Sequence, residues 1–424
     1  MTSATRPPRQ SAAEDAVPAC PYVGLVPFHE HDAAFFFGRE NEIELIAANL
    51  VAARLTLLYA PSGVGKTSVL RAGVVPRLHL IGEEDDDLGL RCAAVAYVRD
   101  WSGPPRETVA AELCRALRAT GASVDGPAPA EPLVTWLRGL PERASIPVAY
   151  LILDQFEEYF LYHPGDEELP RELGEILAAG DLNVHVLLSI REDAVAALDR
   201  FEGHVPHLFE NYFRLAHLDR DSARAAIEGP LDRYNELTTP DTQVSVEPEL
   251  VEALLEQVRA GRVQMGEEAH LPDRLGPADR SDIEAPYLQL VLTRLWDEER
   301  ARGSTVLRRD TLTELGGAQT IVQSHLDAVM AGLSPQQAQV AADVFHHLIT
   351  ASGSKIALTA EDLAAWADQP SDRVRDLLEA LSSGPRRILR PVPPATGAEG
   401  PPRYEIFHDV MGAAVLDWRR RYVA

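Results

Sequence analysis

Between Leu55 and Leu215 the chain passes through short apolar runs bounded by turn residues, at Leu55–Tyr59, Ala93–Val98, Val148–Leu153, Val184–Ile190 and Tyr212–Leu215. Their length and their continuous apolar character suit strands buried on both faces. Segments such as Glu107–Ala119 between them carry apolar residues at helical spacing. Strands alternating with helices predict a doubly wound parallel sheet, the α/β class. After Pro230 the strand-like runs stop. Helical periodicity then covers Glu247–Arg259, Leu288–Arg302 and Thr320–Met330, around a polar loop at Gly266–Asp282, and predicts an all-α helical domain. Further on, two helical stretches (Ala360–Ala367 and Asp372–Leu381) precede two short runs (Arg387–Val392 and Arg403–Phe407) joined by the Pro/Gly-rich Pro393–Pro402. Two helices followed by a hairpin give a winged-helix outline. The first twenty residues have no periodicity and read as a disordered tail. The expected division is therefore 1–20 tail, 21–232 α/β domain, 233–335 helical domain and 336–424 winged-helix domain. The acidic run Glu83–Asp87 is expected to be a solvated loop.

Composition narrows the function. The 424 residues are 46% hydrophobic and 25% charged, a globular average with room for about three domains. Against 40 Lys+Arg stand 65 Asp+Glu, a net charge of −25, which repels phosphate backbones and anionic membranes. A nucleic-acid partner is thereby disfavoured. No stretch approaches the roughly 18 uncharged apolar residues of a membrane span, and the N-terminus lacks an apolar signal core, so the expected location is the cytoplasm with no membrane partner. Cys20, Cys92 and Cys114 have no disulfide or zinc spacing. Of the basic residues only Lys66 and Lys355 are lysine, which makes their positions informative.

Lys66 falls in Ala60, Pro61, Ser62, Gly63, Val64, Gly65, Lys66, Thr67, Ser68, directly after one predicted strand and at the start of a helix. This is a phosphate-binding loop (P-loop): Pro61 leads into it, backbone N–H groups of Ser62–Ser68 and the helix N-terminus cradle phosphates, Lys66 reaches their oxygens, and the Thr67 hydroxyl holds Mg²⁺. A compact ammonium suits the position better than a forked guanidinium. A Gly-rich turn with a chance Lys-Thr pair would leave the placement of so rare a lysine unexplained. The strand Val148–Leu153 ends in Asp154, the carboxylate such sites use as the second Mg²⁺ contact. Gln155 follows where a water-activating glutamate often stands. An amide cannot accept a proton as a base does, so Glu157 or Glu158 substitutes or hydrolysis is slow. Arg191, at the tip of Val184–Ile190, is a candidate γ-phosphate sensor, the alternative being a salt bridge at a helix start.

Taken in order, several segments resemble bacterial STAND NTPases, signal-transduction ATPases related to apoptotic and plant resistance ATPases, and most closely the novel STAND type. They are Pro21–Phe28, Phe35–Glu40, the P-loop, Leu153–Glu158, Ser189–Asp193, Ala226–Pro230, Pro286–Gln289 with Leu295 and Trp296, and Phe407–Asp409. The likeness runs from Pro21 to the C-terminus. It implies that Phe37, Gly38 and Arg39 line an adenine pocket and that Pro286 meets the base. It also implies that His408, in a Met-His-Asp-like motif with Phe407 in place of Met, meets the β-phosphate of ADP. The implied function is an ATP/ADP switch with slow Mg²⁺-dependent hydrolysis in bacterial signalling or defence. ADP keeps it closed, and ATP opens it for homo-oligomerisation. Relatives usually carry an effector before the Pro21 segment and a repeat sensor after the winged helix, so these partners are expected in trans, unless the chain is a truncated core. One rival reading is a winged-helix DNA-binding regulator. Its candidate recognition helix, Asp372–Glu379, carries more acids than arginines, and only Arg386, Arg387 and Arg390 favour it. The other is a fast ATPase motor, against which Gln155 argues.

Overall fold

Five apolar runs pair into one parallel sheet: β1 (Leu55–Ala60), β2 (Ala94–Val98), β3 (Ala149–Leu153), β4 (Val184–Arg191) and β5 (Tyr212–Arg214). The order is β2-β3-β4-β1-β5, with every neighbouring pair parallel. Each strand lies within one residue of its expected ends. The computed structural model describes residues 17–61, 63–87, 93–128, 131–140, 148–205, 207–259, 283–349, 356–382, 388–392, 401–407 and 410–424.

Period-two alternation assigns the strand side chains to two apolar layers. On one face Leu57, Leu151, Leu153, Val186 and Leu188 pack with Leu113, Leu117, Leu133, Trp136, Leu173 and Ile176. Those partners come from the helices Pro105–Ala119, Leu133–Gly139 and Glu168–Ala178. On the other face Leu58, Tyr150, Ile152 and Leu187 meet Ile46, Leu50, Leu70 and Val74. Both faces are covered, which is why the strands read as continuous apolar runs. The expected loop at the acidic run is corrected. Glu83–Asp87 forms the last turns of a helix, Val75–Asp87, that continues from the helical segment after the P-loop. Extending a nucleated helix costs far less than starting one, so an acidic composition does not end it.

Beyond the sheet come the helices Arg220–Leu237, Pro248–Gln257, Ala285–Ala301, Arg309–Glu314 and Gly317–Met330. The all-α expectation is corrected here as well: β6 (Ser245–Val246) and β7 (Val306–Leu307) form a parallel pair. Strands of two residues are too short to show a period of two. Trp296 anchors this region, with Tyr22 and Tyr234 edge-on to it at 6.5 and 5.0 Å. The final segment holds the helices Pro335–Val344, Ala360–Trp366, Ser371–Ser382 and Val410–Val423. Its antiparallel sheet has β8 (Leu358–Thr359), β9 (Leu389–Val392) and β10 (Arg403–Ile406) in the order β8-β10-β9. One apolar cluster joins Leu292 and Leu295 to Leu377, Leu378 and Val415, so the two C-terminal regions share a core.

Tyr22 and Phe28 pack into that same cluster, and the Tyr22 hydroxyl donates to the Ile227 carbonyl at 2.8 Å. Trp296 Nε1 donates to the Ala19 carbonyl at 3.0 Å, so the end of the expected tail is held. Residues 1–16 of that tail and the whole Gly266–Asp282 loop lie outside the described residues. Among the described residues no helix is long and apolar enough to cross a membrane.

Candidate functional site

Strand order places the site. Because β1 lies beside β4, the final register pair sets Ala60, where the P-loop begins, against Arg191. β4 also pairs with β3, where Leu153 faces Leu188, so Asp154 emerges at the same end of the sheet. In the loop Gly63 and Gly65 adopt φ of 75° and 100°, left-handed values that favour glycine. Lys66 opens the helical segment Lys66–Ser68, which runs on through a π-helical stretch, Val69–Val74. Ser62 lies outside the described residues.

Asp154 is fully buried and accepts three hydroxyl bonds. Thr67 donates to Oδ2 at 2.7 Å, Tyr97 to Oδ2 at 2.6 Å and Ser189 to Oδ1 at 2.7 Å. The Trp101 indole N–H fixes its backbone carbonyl at 2.9 Å. Thr67 was expected beside Asp154; Tyr97 and Ser189 were not singled out, and only their places at strand ends could have suggested them. Burial, followed by the Asp154 charge, pushes the Tyr97 phenol well up, so Tyr97 stays a donor.

A cavity opens over the P-loop. It is lined by Gly63, Val64, Gly65, Lys66, Thr67 and Ser68, by Gln155, Glu157 and Arg191, and by Phe37, Arg39 and Pro286. Burial pulls the Lys66 ammonium below its usual pKa, and Glu157 and Asp154 offset part of that shift. Gln155 takes a left-handed φ of 52°, uncommon for a side chain of its kind, at the N-terminus of the helix Phe156–Tyr162. That helix separates the two candidate glutamates. Glu157 is buried against the cavity and its Oε2 accepts the Arg191 backbone N–H at 3.2 Å. Glu158 is half-buried outside the cavity lining, where burial and then the Glu158 charge raise the Tyr162 phenol.

The apolar part of the lining includes Val26, Pro27, Phe36, Phe37, Leu218 and Pro286. Pro286 sits in the first turn of the helix Ala285–Ala301, where a proline's missing N–H costs no bond. Phe37 stacks on Gly229, where an added Cβ would lie 2.5 Å from its ring. Gly38 has φ of 85°, and a Cβ there would lie 2.2 Å from the Ser222 carbonyl oxygen. Arg39 lines the cavity but its guanidinium is tied to Glu42 (2.6 Å), the Val64 carbonyl (3.3 Å) and the Ala216 carbonyl (2.9 Å). It therefore braces the P-loop from behind. The Ser68 hydroxyl accepts the Phe28 N–H at 3.2 Å, bringing the N-terminal segment onto the same loop.

Among the lining residues outside the expected set of site residues are Arg99, just after β2, and Arg390 and Phe407 from the C-terminal hairpin. Phe407 ends the described hairpin at the cavity. His408 and Asp409, which follow it, lie outside the described residues, as do Arg386 and Arg387. Arg390, counted above toward a DNA-facing wing, lines this cavity instead, and Arg375 of the candidate recognition helix pairs with Glu361 at 2.8 Å.

A family model described as novel STAND NTPase 1 matches residues 21–418. No curated protein matches the chain. Among solved structures, the Aeropyrum pernix ORC2 protein in ADPNP–ADP complexes is 16% identical, with 91% of this chain and 94% of that chain covered and a TM-score of 0.48. The Aeropyrum pernix ORC1 protein in complex with DNA is 16% identical, with 92% and 95% covered and a TM-score of 0.48. Cdc6p from Pyrobaculum aerophilum is 13% identical, with 91% and 95% covered and a TM-score of 0.40.

Proposed function

The chain belongs to the novel STAND NTPase 1 family, and from that premise we propose that it is an ATP/ADP-controlled signalling switch with slow hydrolysis. The observation that carries the reading is the cavity's charge. Lys66, Arg39, Arg99, Arg191 and Arg390 line it with Glu157 as the one acid among the described lining residues. In a chain of net charge −25 such a concentration of cations favours a polyanion. The apolar part around Phe37 and Pro286 suits an adenine ring.

Mg²⁺ fits the donor set. Among the described residues no group of three or more His, Cys, Asp or Glu could hold a metal unaided. A hydroxyl and a carboxylate in contact are the hard oxygens Mg²⁺ takes when phosphates and water complete its shell. Thr67 and Asp154 would hold it, and when bound it would neutralise charge on the phosphates. A bound phosphate would offset the burial that holds the Lys66 ammonium below its usual pKa. Glu157 is the better-placed base, because it shares the cavity with Lys66 and Gln155 while Glu158 does not. With an amide at 155, turnover stays below the enzyme median of about 10 s⁻¹.

The switch part of the reading assigns residues 21–232, 233–335 and 336–424 to α/β, helical and winged-helix domains. The helices and three-stranded sheet of the last segment support the winged-helix assignment. Phe407 at the cavity supports a role for His408 at the β-phosphate of ADP. ADP then ties the C-terminal unit to the P-loop, and ATP opens the assembly and permits self-association, with sensor and effector supplied in trans. The test is to identify the nucleotide retained on purification and to weigh the protein in solution with ADP and with a non-hydrolysable ATP analogue. A monomer with ADP and a larger species with the analogue agree with the reading. The same mass in both states contradicts the switch.

A further inference from the structure

The antiparallel register of β9 and β10 sets Arg390 directly opposite Glu405. Arg390 Nε donates to Glu405 Oε1 at 2.7 Å and Nη2 bonds the same oxygen, a side-on hold on one edge of the guanidinium. That oxygen also meets Arg191 Nη1 at 3.2 Å, across the boundary between the C-terminal sheet and β4. Glu405 is buried and absent from the cavity lining, whereas Arg191 and Arg390 both line it beside Lys66. The carboxylate therefore stands behind two guanidiniums and aims them at the P-loop. Arg191 has a second anion, Asp193, at Nε (2.9 Å).

We propose that Arg390 is a phosphate ligand delivered from the C-terminal sheet, binding the nucleotide's phosphate tail beyond the α-phosphate with Glu405 as its orienting counter-ion. This rests on the nucleotide-switch reading and names a contact through which the C-terminal unit would sense the tail. Three facts converge on it. A side-on hold through Nε and Nη2 leaves the Nη1 edge for a second acceptor, the forked geometry phosphate recognition uses. Arg390 shares the Glu405 oxygen with Arg191, so Glu405 neutralises the Arg390 charge only in part. Burial and the Arg191 charge also press the Arg390 guanidinium below its ordinary pKa despite Glu405, a stress that a phosphate would relieve. Register makes the device strict, since a slip of one residue between β9 and β10 would turn Arg390 to the other face.

The test compares competition by AMP, ADP and ATP with Mg²⁺ against a fluorescent ATP analogue, for the parent, Arg390→Gln and Arg390→Lys. Loss of one charge-assisted contact should weaken ADP or ATP by about ten- to a hundredfold in Arg390→Gln while AMP stays within about threefold of the parent. Arg390→Lys keeps the charge without the fork and should fall in between; it also serves if the glutamine variant fails to fold. Parent-like affinity for ADP and ATP in either variant, or an equal loss for all three nucleotides, overturns the proposal. A parent that binds no adenine nucleotide is a different failure, that of the underlying reading.

Discussion

Ala60 and Arg191 are register partners at the ends of β1 and β4, so the start of the P-loop and the arginine at the neighbouring strand's tip stand side by side. The pairing follows from placing β4 between β1 and β3, and it brings Thr67, Asp154, Glu157 and Arg191 to one end of the sheet. Their chemistry can then be separated residue by residue.

The two glutamates should behave differently. Glu157→Gln is expected to slow ATP hydrolysis by about a hundredfold or more, the usual contribution of a general base, while nucleotide affinity is kept. Glu158→Gln should remain near the parent rate. Steady-state phosphate release measures both, and a large loss in Glu158→Gln alone would reverse the assignment.

Lys66 gives the site a pH dependence. Burial lowers its pKa below the ordinary 10.5, and bound phosphate would raise it again. Between those two values binding takes up a proton, so affinity falls as pH rises through that window and is flat below it. Stability of the nucleotide-free protein runs the other way. The unfolded chain holds the Lys66 proton more tightly, so this group adds stability as pH rises from the lowered value toward 10.5. Calorimetric titrations of ADP in buffers of different ionisation enthalpy read the uptake directly, and equal heats at alkaline pH would refute it.

Gly38→Ala should destabilise the fold by more than about 1 kcal/mol, because it combines a left-handed φ with a Cβ in the Ser222 carbonyl. Gly139→Ala, a position with nothing within 4 Å and no positive φ, is the control and should leave the melting temperature unchanged or slightly raised. Nucleotide affinity should fall only in the first variant, since Phe37 adjoins Gly38.

If His408 bonds the ADP β-phosphate, the contact contributes about 1.5–3 kcal/mol to the closed state. His408→Ala should then release ADP roughly ten- to a hundredfold faster and lose most of the ADP-induced rise in melting temperature. A histidine that only packs would lower the melting temperature equally with and without ADP.

The sheet was legible because strands buried on both faces leave long apolar runs, and the P-loop because its glycines and its rare lysine have few other uses. Strands β6, β7 and β8, of two residues each, leave no period to read. The Arg390–Glu405–Arg191 cluster was hidden for a different reason. It depends on the register of one hairpin and its docking against β4, and in sequence an arginine of β9 looks like any wing arginine. Arg39 shows the same limit: it lines the cavity, but only the fold shows that its guanidinium bonds the Val64 and Ala216 carbonyls.

The most direct measurement is an equilibrium titration of Mg²⁺-ADP and Mg²⁺-ATP into the parent and Lys66→Ala. The account predicts saturable binding of both by the parent, no measurable binding by Lys66→Ala, and weakened binding by Lys66→Arg, whose broad guanidinium does not fit a loop shaped for an ammonium. Unchanged affinity in Lys66→Ala would contradict it.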